Sequence, residues 1–336
     1  MTGEPTLEAQ AGPPAVSVVM PARDAERFIA ESVGSVLAEA GVPLELVVVD
    51  DRSSDGTAAV LAGVRDPRLR VVTGPGDGIA TALNAGVAAA RGRFVARCDA
   101  DDLFVAGRLG PQLQLLRSEP DAAAVAGGYA SMDARGREVC VMSTGSEPAD
   151  LTEELLAGRT RTHLGAWLIR RSAWEAIGGA RAWFQSAEDL DLQCRLAGVG
   201  RVLYRPGVAY RYRLHGGSVT HRITNARRRF FDAAVVRFAQ QRAAGEPGEL
   251  ERGEAPDPPE DAPDCAARMS PRWQTQGLLM YEAHRARFSG DRGGSFALLR
   301  RAFLANPAGV RRWPTLLRQT LSLLLRPTHA PEQALP

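Results

Sequence analysis

The chain contains no lysine; all 41 of its basic residues are arginine. Abundant Ala, Gly and Pro point to a GC-rich coding bias as the cause, yet the consequence is chemical. Lysine Schiff-base chemistry is excluded, and cationic contact to a phosphate falls to arginine, a metal ion or backbone N–H groups. Aromatic residues are scarce, at 6%. The four cysteines, Cys98, Cys140, Cys194 and Cys265, lie far apart and form no Cys-x-x-Cys pair. That excludes a disulfide framework and a cysteine zinc site, and it fits a reducing, cytoplasmic compartment. Long apolar runs are missing as well: the longest late patch, Leu321 to Leu325, is far too short to span a bilayer. Glu4 and Glu8, with no apolar run before Val16, do not read as a signal peptide. A net charge of +2 gives no electrostatic case for nucleic acid.

What is present is ample for a core: 336 residues, 45% hydrophobic, enough for one large domain or two smaller ones. Residues 1–14 are polar and Pro/Gly-rich and are expected to form a disordered tail. A β-branched run, Ala15 to Met20, predicts a strand ended by Pro21, and helical spacing follows over Ala25 to Ala40. Leu44 to Val49 is a second strand, apolar except for Glu45, as expected when helices cover both faces. A helix through Val64, a strand Leu69 to Thr73, a helix Ile79 to Ala90 and a fourth strand Phe94 to Cys98 continue the rhythm. This alternation predicts an α/β fold with a mostly parallel central sheet flanked by helices. Beyond it the pattern turns mixed, with a hairpin across Tyr129 to Met132 and Glu138 to Met142, and two short strands, Val202 to Tyr204 and Val208 to Tyr212, around Pro206. A helix over His221 to Arg242 precedes an acidic, Pro-rich linker or loop at 243–266, which holds eight carboxylates and five prolines between Ala243 and Asp264. Residues 267–328 read as a helical extension and 329–336 as a tail. The extension's last helix, Val310 to Leu325, is basic with an apolar face; it suits packing on the domain or peripheral contact with the inner face of a membrane.

Three predicted strand ends carry the chemistry. The fourth stops at Asp99-Ala100-Asp101-Asp102, the second at Asp50-Asp51, the first at Pro21-Ala22-Arg23-Asp24. Alone, any of these reads as a loop or helix cap. Together they gather carboxylates where open α/β sheets bind ligands, at the carboxyl ends of the strands. Clustered carboxylates repel and need a cation or a hydrogen-bonding ligand. Mg²⁺ is usually held by one or two carboxylates plus substrate phosphates. Farther on, Glu188-Asp189-Leu190-Asp191 opens a predicted helix, where the dipole favours an ionised carboxylate suited to general-base work. His215, beside Gly216-Gly217, is open to a structural or a ligand role. Gly74-x-Gly76-x-Gly78 invites a dinucleotide reading but has Ile79 where the third glycine belongs, and it follows the third strand rather than the first.

At these residues the chain resembles the family 2 glycosyltransferases, which have the GT-A fold. The matching pieces are Val18-Val-Met-Pro-Ala-Arg23, Val47 to Thr57, Ala82-Leu-Asn-Ala-Gly86, Ala90 to Asp102 and Ala187 to Arg195, in the family's order across roughly residues 15–220. The resemblance implies a GT-A domain over 15–242. It implies metal-dependent, inverting hexosyl transfer from a nucleoside-diphosphate sugar, a UDP-sugar foremost, to a hydroxyl of a glycan or lipid-linked acceptor in surface polysaccharide assembly. Pro21, Ala22, Arg23, Asp50, Asp51, Asn84, Arg91 and Asp99 would hold or support the nucleotide-sugar. Asp101 with Asp99, joined by His215 as in some relatives, would hold Mg²⁺ or Mn²⁺. Asp189 would be the base, with Asp191 the runner-up, and Trp183, Phe184 and Glu188 would meet the acceptor, the two aromatics serving equally well as core. Asp24 departs from the family, where many relatives carry asparagine. Two other classes compete. A sugar-nucleotide-forming nucleotidyltransferase needs a basic loop by the first strand, where only Arg23 stands. A catalytically silent GT-A scaffold would not need the full set of carboxylates.

Overall fold

Four apolar stretches rich in β-branched residues become the first strands, and the helices between them fold back along the sheet. In order the chain forms β1 (Val16–Ala22), α1 (Ile29–Leu37), β2 (Leu44–Asp50), α2 (Thr57–Ala62), β3 (Leu69–Thr73), α3 (Ile79–Ala89), β4 (Phe94–Arg97), β5 (Leu103–Phe104), α4 (Leu109–Ser118), β6 (Ala122–Asp133) and β7 (Glu138–Val141). Then come β8 (Ala149–Asp150), α5 (Thr152–Leu156), β9 (Leu168–Arg170), α6 (Arg171–Ala176), α7 (Glu188–Leu196), β10 (Arg201–Leu214), α8 (Asn225–Ala243), α9 (Pro271–Phe288) and α10 (Arg292–Ala305). The computed structural model describes residues 13–142, 144–218, 223–260, 270–308 and 314–315. All of the expected helix at Val310 to Leu325 except 314–315, most of the N-terminal tail, the C-terminal tail and Cys265 lie outside the described residues.

Two units emerge. The first comprises the chain up to Tyr129, Gly145–Arg211 and Arg229–Pro258; the second takes Ala130–Thr144, Tyr212–Arg228 and the chain from Pro259. Strands run in the order β3-β2-β1-β4-β9-β6-β10-β5, with β8 also on β10. β3, β2, β1 and β4 are mutually parallel. From β9 onward the pairing turns antiparallel, so the sheet is a parallel half joined to an antiparallel one. Every residue of β1 is buried, as a strand covered on both faces must be.

The prolines behave differently from expectation. β1 continues through Pro21, which pairs with Val49. Ala22 O accepts from Asp51 N on the β2 side, whereas Val19 O accepts from Cys98 N on the β4 side. Alternation therefore turns Pro21 toward β4, whose ladder with β1 ends at Val19 and Arg97. No ladder partner is lost there, so the missing N–H is harmless. Likewise Pro206 does not divide β10. It falls between the ladder to β8 at Leu203–Tyr204 and the ladder to β5 at Tyr210–Arg211.

Glu45, the polar residue inside β2, is 1% exposed. Its carboxylate accepts from Ser17 Oγ at 2.7 Å, Arg91 N at 2.7 Å, Arg91 Nε at 2.9 Å and Arg70 Nη1 at 2.9 Å. Burial alone would raise its pKa; these bonds outweigh burial and hold it below the ordinary range.

The acidic stretch after α8 is not free of the first unit. Glu249 pairs with Arg237, Glu251 with Arg181, and Leu250 packs beside Phe231 and Phe238. In the second unit α9 and α10 form a helical pair that buries Leu279, Met280, Ala283, Leu299 and Ala302 against Cys140 of β7. Ser270 caps α9, its Oγ accepting from Trp273 N, with Pro271 in the first turn. No helix among the described residues is long and apolar enough to cross a membrane.

Candidate active site

The carboxyl ends of β1, β2 and β4 open onto one edge of the first unit, and the backbone there is unusual. Among the described residues, the non-glycine residues with left-handed φ are Asp24 (51°), Arg52 (61°) and Ala187 (63°). Asp24 follows β1, Arg52 follows β2, and Ala187 immediately precedes α7. Such conformations cost energy and persist where the surroundings dictate them, which is characteristic of functional loops.

Asp51 is buried at this edge, its carboxylate accepting from Gly76 N at 2.6 Å and Gly78 N at 3.2 Å. This explains the glycine turn. Gly76 and Gly78 both have positive φ, and a Cβ on Gly74 would lie 2.6 Å from Asp51 Oδ1. The turn folds around a carboxylate of the neighbouring strand. Arg23 donates from Nη1 to Gly76 O, and Asp50 Oδ1 accepts from Ser53 N. Pro21, Ala22, Arg23, Asp50 and Asp51 are thus brought together around the first two strand ends. Asp24 Oδ1 accepts from Ser54 N and Ser54 Oγ, and these bonds, the backbone one foremost, hold its pKa below the usual carboxylate range.

Asp99 is gripped by Arg97, the last residue of β4. Nε donates to Oδ1 at 2.6 Å and Nη2 to Oδ2 at 3.1 Å. Asp99 N donates to the hydroxyl of Tyr210 at 2.9 Å, and that hydroxyl donates to Asp102 Oδ2 at 2.8 Å. Asp102 is 1% exposed, whereas Asp101 between them is half-buried. The ring of His163 stacks on Tyr210, centroids 5.0 Å apart. Asp99, Asp102 and His163 each bring a ligand-type atom within 4.8 Å of the others. The carboxylates suit a hard divalent ion. The imidazole fits less simply. His163 Nδ1 accepts from Gly165 N at 3.1 Å, and burial lowers the ring's pKa to about 4. A neutral ring accepting at Nδ1 carries its proton at Nε2, so His163 is built as a donor to an anion.

α7 brings the second pair of carboxylates. Glu188 is buried and accepts from Arg97 Nη1 at 3.1 Å. Burial, then repulsion from Asp189, raises its pKa despite Arg97. Asp189, half-buried, is raised as well, by burial first and by Asp99, with Arg97 opposing. Asp191 plays another part. Fully buried, it accepts from Arg195 Nε at 2.7 Å and lies near Arg181 and Arg242. Arg195 in turn donates to Ile177 O and Gly179 O, so Asp191 anchors α7 to the turn after α6.

Other expected site residues make contacts of their own. Asn84 spends both ends of its amide on Ala180, donating to its O and accepting from its N at 2.8 Å each. It ties α3 to the turn after α6. Arg91 sits at the opposite, amino edge of the sheet on Glu45. Trp183 and Phe184 join Phe230, Phe231 and Phe238 in an aromatic cluster, with Phe184 2% exposed. His215 belongs to the second unit, its Nδ1 accepting from Gly217 N. Arg97, His163 and Tyr210 were not anticipated. An arginine inside the otherwise apolar β4 was the one available signal, since a buried strand tolerates a charge only when it is paired.

The family model described as Glycosyl transferase family 2 matches residues 17–178. Chondroitin synthase of Pasteurella multocida (strain Pm70) is 27% identical over 210 residues, 62% of this chain and 21% of that protein. The succinoglycan biosynthesis protein ExoO of Rhizobium meliloti (strain 1021) is 43% identical over 101 residues, 29% of this chain and 28% of that one. The chain thus spans less than a third of the length of these two relatives. The crystal structure of S. aureus TarS 1-349 in complex with UDP-GlcNAc aligns with a TM-score of 0.57 at 16% identity, covering 92% of this chain and 80% of that one, a likeness of fold. The matched region, the GT-A arrangement and the ordered carboxylate motifs lead to one assignment: residues 17–178 carry a family 2 glycosyltransferase domain.

Proposed function

We propose that the chain is a metal-dependent, inverting glycosyltransferase that moves a sugar from a UDP-sugar to a hydroxyl of a growing polysaccharide or lipid-linked glycan. The observation that carries this reading is the division of the carboxylates into two sets, one at the strand ends and one at the first turn of α7, joined through Arg97. Similarity to ExoO and to chondroitin synthase supports a polysaccharide product, and similarity to a TarS complex with UDP-GlcNAc supports a nucleotide-sugar donor.

Asp51 and the strand ends around it bind the nucleoside. Asp99 and Asp101, backed by Asp102, are the residues to hold Mg²⁺ or Mn²⁺ beside the diphosphate. A bound divalent ion offsets charge on the departing nucleoside diphosphate. His163 donates from Nε2 to the anions around it. Asp189 takes the proton of the acceptor hydroxyl. The hydroxyl oxygen forms the new bond to the anomeric carbon on the face opposite the leaving group, and the old C–O bond breaks with its electron pair going to the diphosphate. Glu188 stays beside Arg97 and holds the first turn of α7 in place.

Calorimetry of UDP with and without Mn²⁺, followed by a panel of UDP-sugars assayed for UDP release, tests this reading. Tight UDP binding that depends on Mn²⁺, and its loss in Asp101→Ala, are expected. Equal UDP affinity in Asp101→Ala would refute the metal assignment, and no UDP release from any UDP-sugar would refute the donor class.

A further inference from the structure

Arg97 makes and breaks no bond in the proposed transfer. It is the last residue of β4, 7% exposed, yet its guanidinium reaches in two directions. Nε and Nη2 fork onto both oxygens of Asp99, and Nη1 reaches Glu188 Oε1 at 3.1 Å. Asp99 and Glu188 are 89 residues apart and belong to different parts of the reaction, the first to the donor side and the second to the base side. Arg195 ties Asp191 of α7 to the turn after α6, but the start of the helix has no side-chain cap of its own. Ala187 holds a left-handed conformation at the entry to α7. A strained alanine persists only where other contacts fix it, and the Arg97–Glu188 bond lies one residue away.

We propose that Arg97 is a positioning residue that holds the donor carboxylate Asp99 and the first turn of α7 in one frame, so that a single guanidinium sets the register between the leaving group and the base. The inference rests on the transferase reading for its consequence, but not for its geometry. A planar fork with a third donor is needed, because a lysine ammonium keeps the charge but cannot satisfy a bidentate carboxylate and a second carboxylate in the same plane. Arg97 therefore acts by angle as well as by charge.

The test uses the full chain with Arg97→Lys, Glu188→Ala and the double variant. UDP release from UDP-glucose and UDP-GlcNAc, Mn²⁺-dependent UDP affinity, and amide exchange over 99–102 and 188–191 are measured. In Arg97→Lys, UDP release is expected to fall about a hundredfold, the scale of a small misplacement of reacting groups, while UDP affinity stays within about threefold of wild type. Exchange at 188–191 rises about tenfold, as the loss of one charge-assisted bond implies. The double variant is no slower than the worse single one, because both cut the same link. Losses that multiply in the double variant, UDP affinity that falls in step with turnover, or unchanged exchange in both segments each overturn the proposal. Should Arg97→Lys fail to fold, Glu188→Ala alone decides: it frees one arm of the guanidinium, and unchanged exchange at 99–102 refutes the link. A wild-type chain that releases no UDP refutes the transferase reading, and the exchange data then still judge Arg97.

Discussion

The two ends of the parallel half-sheet each bury a glutamate beside arginine, and they treat it in opposite ways. At the amino edge Glu45 accepts four hydrogen bonds, two of them from different guanidinium groups, and its pKa is lowered. At the carboxyl edge Glu188 receives one arm of Arg97, which Asp99 also claims, and Asp189 stands beside it; both pKa values are raised. The residue type and depth are alike, and the number of donors per carboxylate differs. Where donors outnumber charges, the pair is a structural clamp. Where carboxylates outnumber donors, the site keeps an excess of negative charge, which in the proposed reading a divalent cation and the proton of the acceptor hydroxyl offset.

The largest effect expected from breaking this contrast is on chemistry. Asp189→Asn should leave UDP affinity unchanged and lower transfer by about 10³-fold, the scale of losing a general base. Steady-state transfer beside calorimetric UDP binding checks it, and normal turnover would move the base elsewhere on α7. The next effect is on stability. Glu45→Ala leaves Ser17 Oγ, Arg91 N and Arg91 Nε without this acceptor and Arg70 Nη1 with Ala89 O alone, and should destabilise the fold by about 3 kcal/mol. A urea midpoint lowered to match, with UDP affinity kept in the folded fraction, would separate the clamp from the site. Because the pKa of Glu45 is depressed, its contribution is present above the ordinary carboxylate range and fades as pH falls through its folded pKa. The gap between wild type and variant should therefore narrow in acid.

Much of this contrast was legible in the sequence, and the rest was hidden for definite reasons. Strand ends advertised themselves, because apolar runs stop abruptly in carboxylates at Asp50-Asp51 and Asp99 to Asp102. The partners of those carboxylates did not. Tyr210 lies 111 residues from the backbone amide it accepts from, and only the strand order β4-β9-β6-β10 brings it there. His163 comes from a short turn with no motif. Asp191 stood as runner-up to Asp189 for the base, although two residues along a helix turn a side chain by about 200°, so only one can face Asp99. Which one does depends on Arg195, Arg181 and Arg242, and these converge on Asp191 only in the folded chain. Pro21 misled because its effect depends on which neighbour its nitrogen faces, and that is a matter of register.

The smallest effect is the most discriminating, because its sign runs against intuition. Glu188→Gln removes a buried charge but leaves an oxygen for Arg97 Nη1 to bond, and Arg97 keeps its fork on Asp99. A carboxyl whose pKa is raised on folding binds its proton more tightly in the native state than in the unfolded chain. Stability therefore falls as pH rises from the ordinary glutamate value of 4.5 toward about 7. Above that window the native state holds an ionised carboxylate under strain, which the amide relieves. Glu188→Gln should thus stabilise the fold at pH 8 by about 1 kcal/mol, the usual scale for relaxing a functional site, and the gain should vanish near pH 5. Because burial raises the pKa of both Glu188 and Asp189, wild-type transfer should lose activity as pH falls through a range above that of ordinary carboxylates. In Glu188→Gln that acid limb should move downward, since the repulsion between the Glu188 and Asp189 carboxylates is removed while Arg97 and Asp99 stay. A variant that is destabilised at pH 8, or an acid limb that stays in place, would mean that Arg97 satisfies Glu188 as fully as the amino edge satisfies Glu45, and the distinction between clamp and site would fail.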